Sequence, residues 1–246
     1  MEDSEFFRIK QKMINLDPKK YWGDDFDVRF YLISKIKTIE RKKILDLGGG
    51  IGIISSELER NNDRVNLDFS FNELKICNQK IDKNIQNICA TITDIPFKND
   101  AFDFVISSSV IQYARDYDIT NEIVITENKI NQYPSVEKSL SEMYRVLRPN
   151  GKLFLVTPNN AYYKSYMFSY KELKKALSNH FLNYSLSFFN PYPKLSQKHR
   201  KLNMANVIPK LKSKLTSKQR LLNSLIKKDK GHEKQSVSFY VEALKN

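Results

Sequence analysis

Residues 43–52, Lys43-Ile44-Leu45-Asp46-Leu47-Gly48-Gly49-Gly50-Ile51-Gly52, run a short apolar stretch straight into a glycine-rich turn. The apolar part suits a strand buried on both faces, and the residues after the turn read as a helix. Between a strand and a helix, glycines permit a tight turn and a close approach of backbone to ligand. The helix start adds free N–H groups. Gly48, Gly50 and Gly52 are spaced G-x-G-x-G, with Asp46 two places before the first. That departs from the dinucleotide pattern G-x-G-x-x-G, and a pyrophosphate would not favour the carboxylate beside it. A cationic ligand would.

Outward from this turn, the same kind of buried run recurs at 64–68 (RVNLD), 87–92 (NICATI), 102–107 (FDFVIS) and 152–157 (KLFLVT). Helical patterns stand between them at 51–60, 71–81 and 135–147. Alternating strands and helices imply right-handed crossovers and an α/β, doubly wound, mostly parallel sheet with helices on both faces. Ser135 is placed to cap its helix with Glu137 in the first turn; Pro149 stops it, and Asn150-Gly151 turns into the next strand. A helix at 169–177 and period-2 strands at 181–189 and 236–244 follow. Upstream, residues 5–40 suggest one or two helices, with Tyr21 and Trp22 at their junction.

Charge divides the chain unevenly. Residues 1–160 hold 23 Lys and Arg against 24 Asp and Glu, whereas residues 161–246 hold 18 against 4, so the whole excess of +13 lies in the C-terminal third. Its densest part, between the last two strands, reads as an insertion. Within it Leu211, Leu215, Leu222, Leu225 and Ile226 fall at helical spacings among lysines, which predicts a basic amphipathic helix over 209–228. Three readings stay open for that helix: a lid with a solvated lysine face, a contact with an anionic membrane surface, or a nucleic-acid contact. The scarcity of aromatics between Pro193 and Ser238 weighs against the last. The N-terminal residues contain no apolar signal segment, and no run of about 18 uncharged apolar residues occurs. A cytoplasmic chain, peripheral at the membrane at most, is expected. Cys77 and Cys89 are the only cysteines and lack C-x-x-C spacing, so neither a disulfide scaffold nor structural zinc is expected.

Four ordered segments resemble a known family. DLGGGIG (46–52) resembles motif I, D-x-G-x-G-x-G, of the class I S-adenosylmethionine-dependent methyltransferases, in the methyltransferase type 11, UbiE-like group. RVNLDFS (64–70) resembles the family's second motif, and ATITDIPFKNDAFDFVISSSVIQY (90–113) and SLSEMYRVLRPNGKLFLVTPN (139–159) resemble its later ones. The resemblance covers roughly residues 40–190. It implies a Rossmann-like, seven-stranded sheet, with a helical cap at 1–40, the cofactor-binding core at 41–189, the basic insertion at 190–235 and the final strand at 236–246.

It also implies roles. S-adenosylmethionine would be the cofactor. Asp46 and the backbone of Gly48, Gly49, Gly50 and Gly52 would hold its methionyl part, and Asp68 its ribose, with Phe69 beside the adenosine. Ser107 and Ser108 would line the methionyl and sulfonium site. The family's acidic residue at the adenine amino group falls on Thr91, with Ile92 beside the ring, and Asp94 could take over that part. Many relatives have histidines at Gln112-Tyr113. Tyr113 is the candidate catalytic residue, near the methyl group; His180, His199 and His232 are the other candidate bases. Residues 114–134 would form a lid over the acceptor. No D/N-P-P-Y/F motif or Pro-Cys follows the fourth strand, which argues against methylation of DNA bases, and the absence of a strand-end Asp there predicts no metal. The expected acceptor is a small molecule, glycan or lipid-type compound; the alternative is an RNA whose phosphates the basic insertion grips. Oligomeric state is left open. Glu142 and Arg145, three apart on one helix, are expected to pair or to tie it to the sheet.

Overall fold

The computed structural model describes residues 28–120, 133–159, 167–189, 226–227 and 238–246. Eight strands form one sheet in the order β3-β2-β1-β4-β5-β8-β6-β7. They are β1 (Lys43–Leu47), β2 (Asp63–Asp68), β3 (Gln86–Cys89), β4 (Phe102–Ser108), β5 (Leu147–Pro158), β6 (Asn183–Phe189), β7 (Ile226–Lys227) and β8 (Ser238–Leu244). Neighbours among β1 to β5 run parallel, and β8 is antiparallel to both β5 and β6. The seven expected strands are therefore present, and β7 adds two residues antiparallel to the end of β6.

The apolar runs alternate between two cores, as period-2 side chains must. Leu45, Leu47, Val105, Leu153 and Leu155 face one side, under Val136, Leu140 and Met143 of helix α5 (Pro134–Val146) and Leu173 and Leu177 of α6 (Tyr170–Ser178). Ile44, Ile106, Phe154 and Val156 face the other, under Val28, Tyr31, Leu32 and Ile36 of α1 (Val28–Ile36). Full burial of such a side chain contributes about 2 kcal/mol.

Several sequence expectations shift by a few residues. The pattern at 51–60 yields only a four-residue α2 (Ile53–Ser56). That at 71–81 becomes α3 (Phe71–Ile76), continued by a π-helical turn, Cys77–Ile81. β3 ends at Cys89 instead of residue 92. It is an edge strand, and Thr91 and Asp94 close a tight turn beyond it. Ser135 does not cap α5: Tyr133 holds the cap position without a side-chain capping bond, Pro134 opens the helix, and Glu137 does lie in the first turn. The Asn150-Gly151 turn sits inside β5 as an irregularity. Phe102 pairs with Leu147 and Phe104 with Lys152, and Asn150 takes a φ of 63°.

A helix not foreseen in the sequence, α4 (Ile111–Thr120), follows β4 and takes in the first residues of the 114–134 stretch. Among its described side chains, Ile111, Gln112, Ala114 and Arg115 are buried. Residues 121–132, the His199 and His232 positions and most of the basic stretch lie outside the described residues. The described end of the predicted 209–228 helix, Ile226–Lys227, is extended because it pairs with β6. Cys77 is buried and Cys89 exposed, both as free thiols. Among the described residues, no helix is long and apolar enough to cross a membrane.

Candidate functional site

Strand order reverses at β1: β2 and β3 lie to one side of it, β4 and β5 to the other. In such sheets the crevice past the carboxyl ends of the strands at the reversal is where ligands bind. The register brings the sequence candidates there, since Leu47 pairs with both Leu67 and Ser107, placing Asp46, Asp68 and Ser107 at neighbouring strand ends.

The glycine turn closes over them. Gly48, Gly50 and Gly52 take φ values of 65°, 55° and 76°, in the left-handed region that side chains disfavour. Gly49 needs its missing side chain for space: a Cβ there would fall on the Asn66 amide oxygen and the Asp46 carboxylate. The Gly48 N–H donates to Leu67 O at 2.7 Å, and the Gly50 N–H donates to Asp68 Oδ2 at 2.9 Å.

Asp46 is 1% exposed. Its Oδ2 accepts the Ser55 hydroxyl at 2.9 Å, and its Oδ1 has no hydrogen-bond partner. Burial foremost, with the nearby Asp68 charge adding to it and the Ser55 bond opposing, pushes its pKa up to about 7. Asp68, also buried, accepts the Ser70 N–H on Oδ1 at 2.8 Å. Phe69 beside it is 73% exposed, unusual for a phenylalanine without a ligand to cover. Ser107 and Ser108 each carry a buried hydroxyl without a hydrogen-bond partner. Ser109 next to them takes a φ of 59° and donates its N–H to Val156 O at 2.8 Å, turning the chain off β4 into α4. A serine held in that conformation stores strain of the kind found at functional sites. Tyr113, in the first turn of α4, is 60% exposed.

Other candidates are placed differently. Thr91 is exposed and its hydroxyl shares a hydrogen bond with Thr93 at 2.9 Å, while Ile92 packs partly against the core. His180 is bound at 2.8 Å to Glu137 of α5, a link between helices rather than a group at the crevice. Glu142 and Arg145 form a two-pronged pair at 2.6 and 2.8 Å. Arg145 also donates to Ile95 O and Phe97 O, and Glu142 accepts the Ile95 N–H. They therefore clamp α5 to the 95–97 segment rather than to the strands.

Three residues at the site were given no role from the sequence. Asn66, fully buried in mid-β2, donates to Gly50 O and to Asn87 Oδ1 at 3.0 Å each, and its own oxygen is unmet. The signal was a polar side chain inside the apolar run VNL. Glu73, 7% exposed in the first turn of α3, lies against Gly50. Gln112 is buried and accepts the Thr157 hydroxyl.

These features fit S-adenosylmethionine. The unmet buried acceptors Asp46 Oδ1 and Asn66 Oδ1 lie at the turn, and carboxylates suit a ligand bearing a sulfonium and an ammonium. Residues 45–155 match the family model described as a methyltransferase domain. The chain is 35% identical over 124 residues to the ubiquinone/menaquinone biosynthesis C-methyltransferase of Wigglesworthia glossinidia brevipalpis, covering 47% of this chain and 42% of that one. It is 26% identical to the protein of the same name from Geotalea daltonii, covering 76% and 78%. The chain spans less than half the length of several curated relatives it matches, 20% in the case of the biotin biosynthesis bifunctional protein of Cellvibrio japonicus. Among solved structures, a methyltransferase of Thermotoga maritima shares the fold at TM-score 0.59 and 14% identity, covering 97% of this chain and 99% of that one. With residues 45–155 matching a methyltransferase domain around this glycine turn, the chain is similar to the class I S-adenosylmethionine-dependent methyltransferases.

Proposed function

We propose that the chain transfers the methyl group of S-adenosylmethionine to a small-molecule or lipid-type acceptor. The observation that carries this reading is the pair of buried carboxylates, Asp46 and Asp68, at neighbouring strand ends on either side of a turn that only glycines can make. Bound there, the donor supplies an electrophilic methyl group for in-line displacement by a nucleophile, with a neutral sulfide leaving.

The residues' work is then mainly positional. Asp46, the turn backbone and Ser107 and Ser108 hold the methionyl end. Asp68 takes the ribose hydroxyls, Phe69 covers the adenosine, and Thr91 and Ile92, or Asp94, border the adenine. Tyr113 faces the acceptor, and its oxygen, as the phenolate, is the group available to accept a proton if the nucleophile is a hydroxyl.

Support for an apolar acceptor comes from relatives named as quinone-biosynthesis C-methyltransferases and, at 28% identity over 120 residues, a 2-methyl-6-phytyl-1,4-hydroquinone methyltransferase of rice. A membrane-surface role for the basic stretch accords with such an acceptor. Incubation with methyl-labelled donor and a host-cell extract tests the acceptor class. Label is expected in the small-molecule or lipid fraction; label confined to RNA would overturn the reading.

A further inference from the structure

We propose that Gln112 binds the methyl acceptor: its side-chain amide nitrogen donates a hydrogen bond to an acceptor oxygen, at or beside the atom that takes the methyl group. This rests on the methyl-transfer reading above. The carboxylates assigned to the donor, Asp46 and Asp68, stand on β1 and β2, which leaves the β4 and β5 side of the strand reversal for the acceptor. Gln112 is on that side. It is the second residue of α4, and the chain leading into α4 abuts the glycine turn, since a Cβ built on Gly48 would fall on the Val110 side chain. The Gln112 side chain reaches the carboxyl end of β5, where its oxygen accepts the Thr157 hydroxyl at 3.3 Å.

The tie to Thr157 does not account for the residue. Gln112 is 4% exposed, and burying an incompletely paired amide costs more than one long bond between neutral groups returns. That bond is the one hydrogen bond its side chain makes among the described residues, so both N–H groups of the amide are left over. The nitrogen is not sealed in, as the Ser107 and Ser108 hydroxyls are, and it holds part of the little surface the residue keeps. A nearly buried donor open on one side is the kind of polar group that orients a ligand in a pocket.

A group that only donates also selects the acceptor's chemistry. An amine has one lone pair, which must stay free to take the methyl, so an N–H aimed at it would oppose the reaction. A hydroxyl or phenolate oxygen has a lone pair to spare, and a carbonyl or phenolate oxygen beside an attacking carbon is bonded without touching the nucleophile. The acceptor class is therefore an oxygen-bearing compound methylated on that oxygen or on the carbon next to it.

Label transfer from methyl-labelled donor, measured with the full chain against dilution of a host-cell extract, gives an apparent half-saturation for the acceptor. Calorimetry with S-adenosylhomocysteine reads the donor side separately. Gln112→Met keeps the length of the side chain and removes the amide. It is expected to raise the half-saturation about tenfold and to leave the S-adenosylhomocysteine affinity within about twofold, a split that a merely structural loss would not give. Gln112→His offers an N–H to the acceptor and a ring nitrogen to Thr157; it is expected to stay within about threefold of the wild type, and it serves as the test if the Met variant does not fold. The labelled product is expected to carry oxygen on or next to the methylated atom. Unchanged half-saturation in Gln112→Met, equal weakening on both sides, a rise in Gln112→His as large as that expected of Gln112→Met, or a product methylated on an amine would overturn the proposal while leaving the methyl-transfer reading intact. No labelled product from the wild type would overturn both.

Discussion

Asp46 is a carboxylate with almost no water around it, and its titration should be visible in the stability of the ligand-free chain. Its value is raised from 3.8 to about 7, so the folded state holds the proton more tightly than the unfolded one. The stabilisation from that proton is complete below about pH 4, falls as pH rises, and is gone once pH has passed about 7. Glu142 and Asp82, whose values are lowered, act in the opposite sense and only at more acidic pH. Urea melts of the wild type should therefore show stability declining between about pH 5 and 7.5, and Asp46→Asn should flatten that decline. An identical pH profile in the variant would show that Asp46 is ionised throughout. Asp46 and Asp68 were legible from sequence because a carboxylate ending a buried strand has few structural uses. Asn66 and Glu73 were not. One looked like a strand residue and the other like an ordinary acidic residue in a helix's first turn, and only the fold of the turn back over them reveals their place.

Between the elements, the clearest link is the Glu142–Arg145 fork. It joins α5 to the backbone of residues 95–97, just past the turn that carries Thr91 and Ile92. Arg145→Ala would leave two carbonyls and the Glu142 carboxylate short of their donor, at a cost of about 2 kcal/mol. A loss of that size in unfolding free energy is expected from urea melts, and a change within error would mean that water replaces the guanidinium without loss. The pairing was foreseeable from the three-residue spacing; its attachment to 95–97 was not. Helix α4 was missed for a related reason. Its buried face includes Gln112 and Arg115, and Arg115 reaches Glu172 at 3.1 Å in the first turn of α6. A face buried through polar contacts gives no apolar periodicity to read. Likewise β3 ends early because an edge strand has one neighbour, so the apolar character of residues 90–92 alone does not extend it.

At the scale of the molecule, alternation of strands and helices was enough for the doubly wound sheet, and the family resemblance supplied seven of its eight strands. The two-residue β7 could not be foreseen, because Ile226 and Lys227 join the sheet only through pairing with a strand some 40 residues earlier. The donor side carries the sharper proposal, that the glycine turn with Asp46 and Asp68 holds S-adenosylmethionine. Calorimetry of the wild type and of Asp68→Ala with that ligand tests it most directly. The account predicts one site per chain in the wild type and an affinity at least about tenfold weaker in the variant, since the ribose hydroxyls lose a charged acceptor. No heat of binding in the wild type, or unchanged affinity in Asp68→Ala, would contradict it.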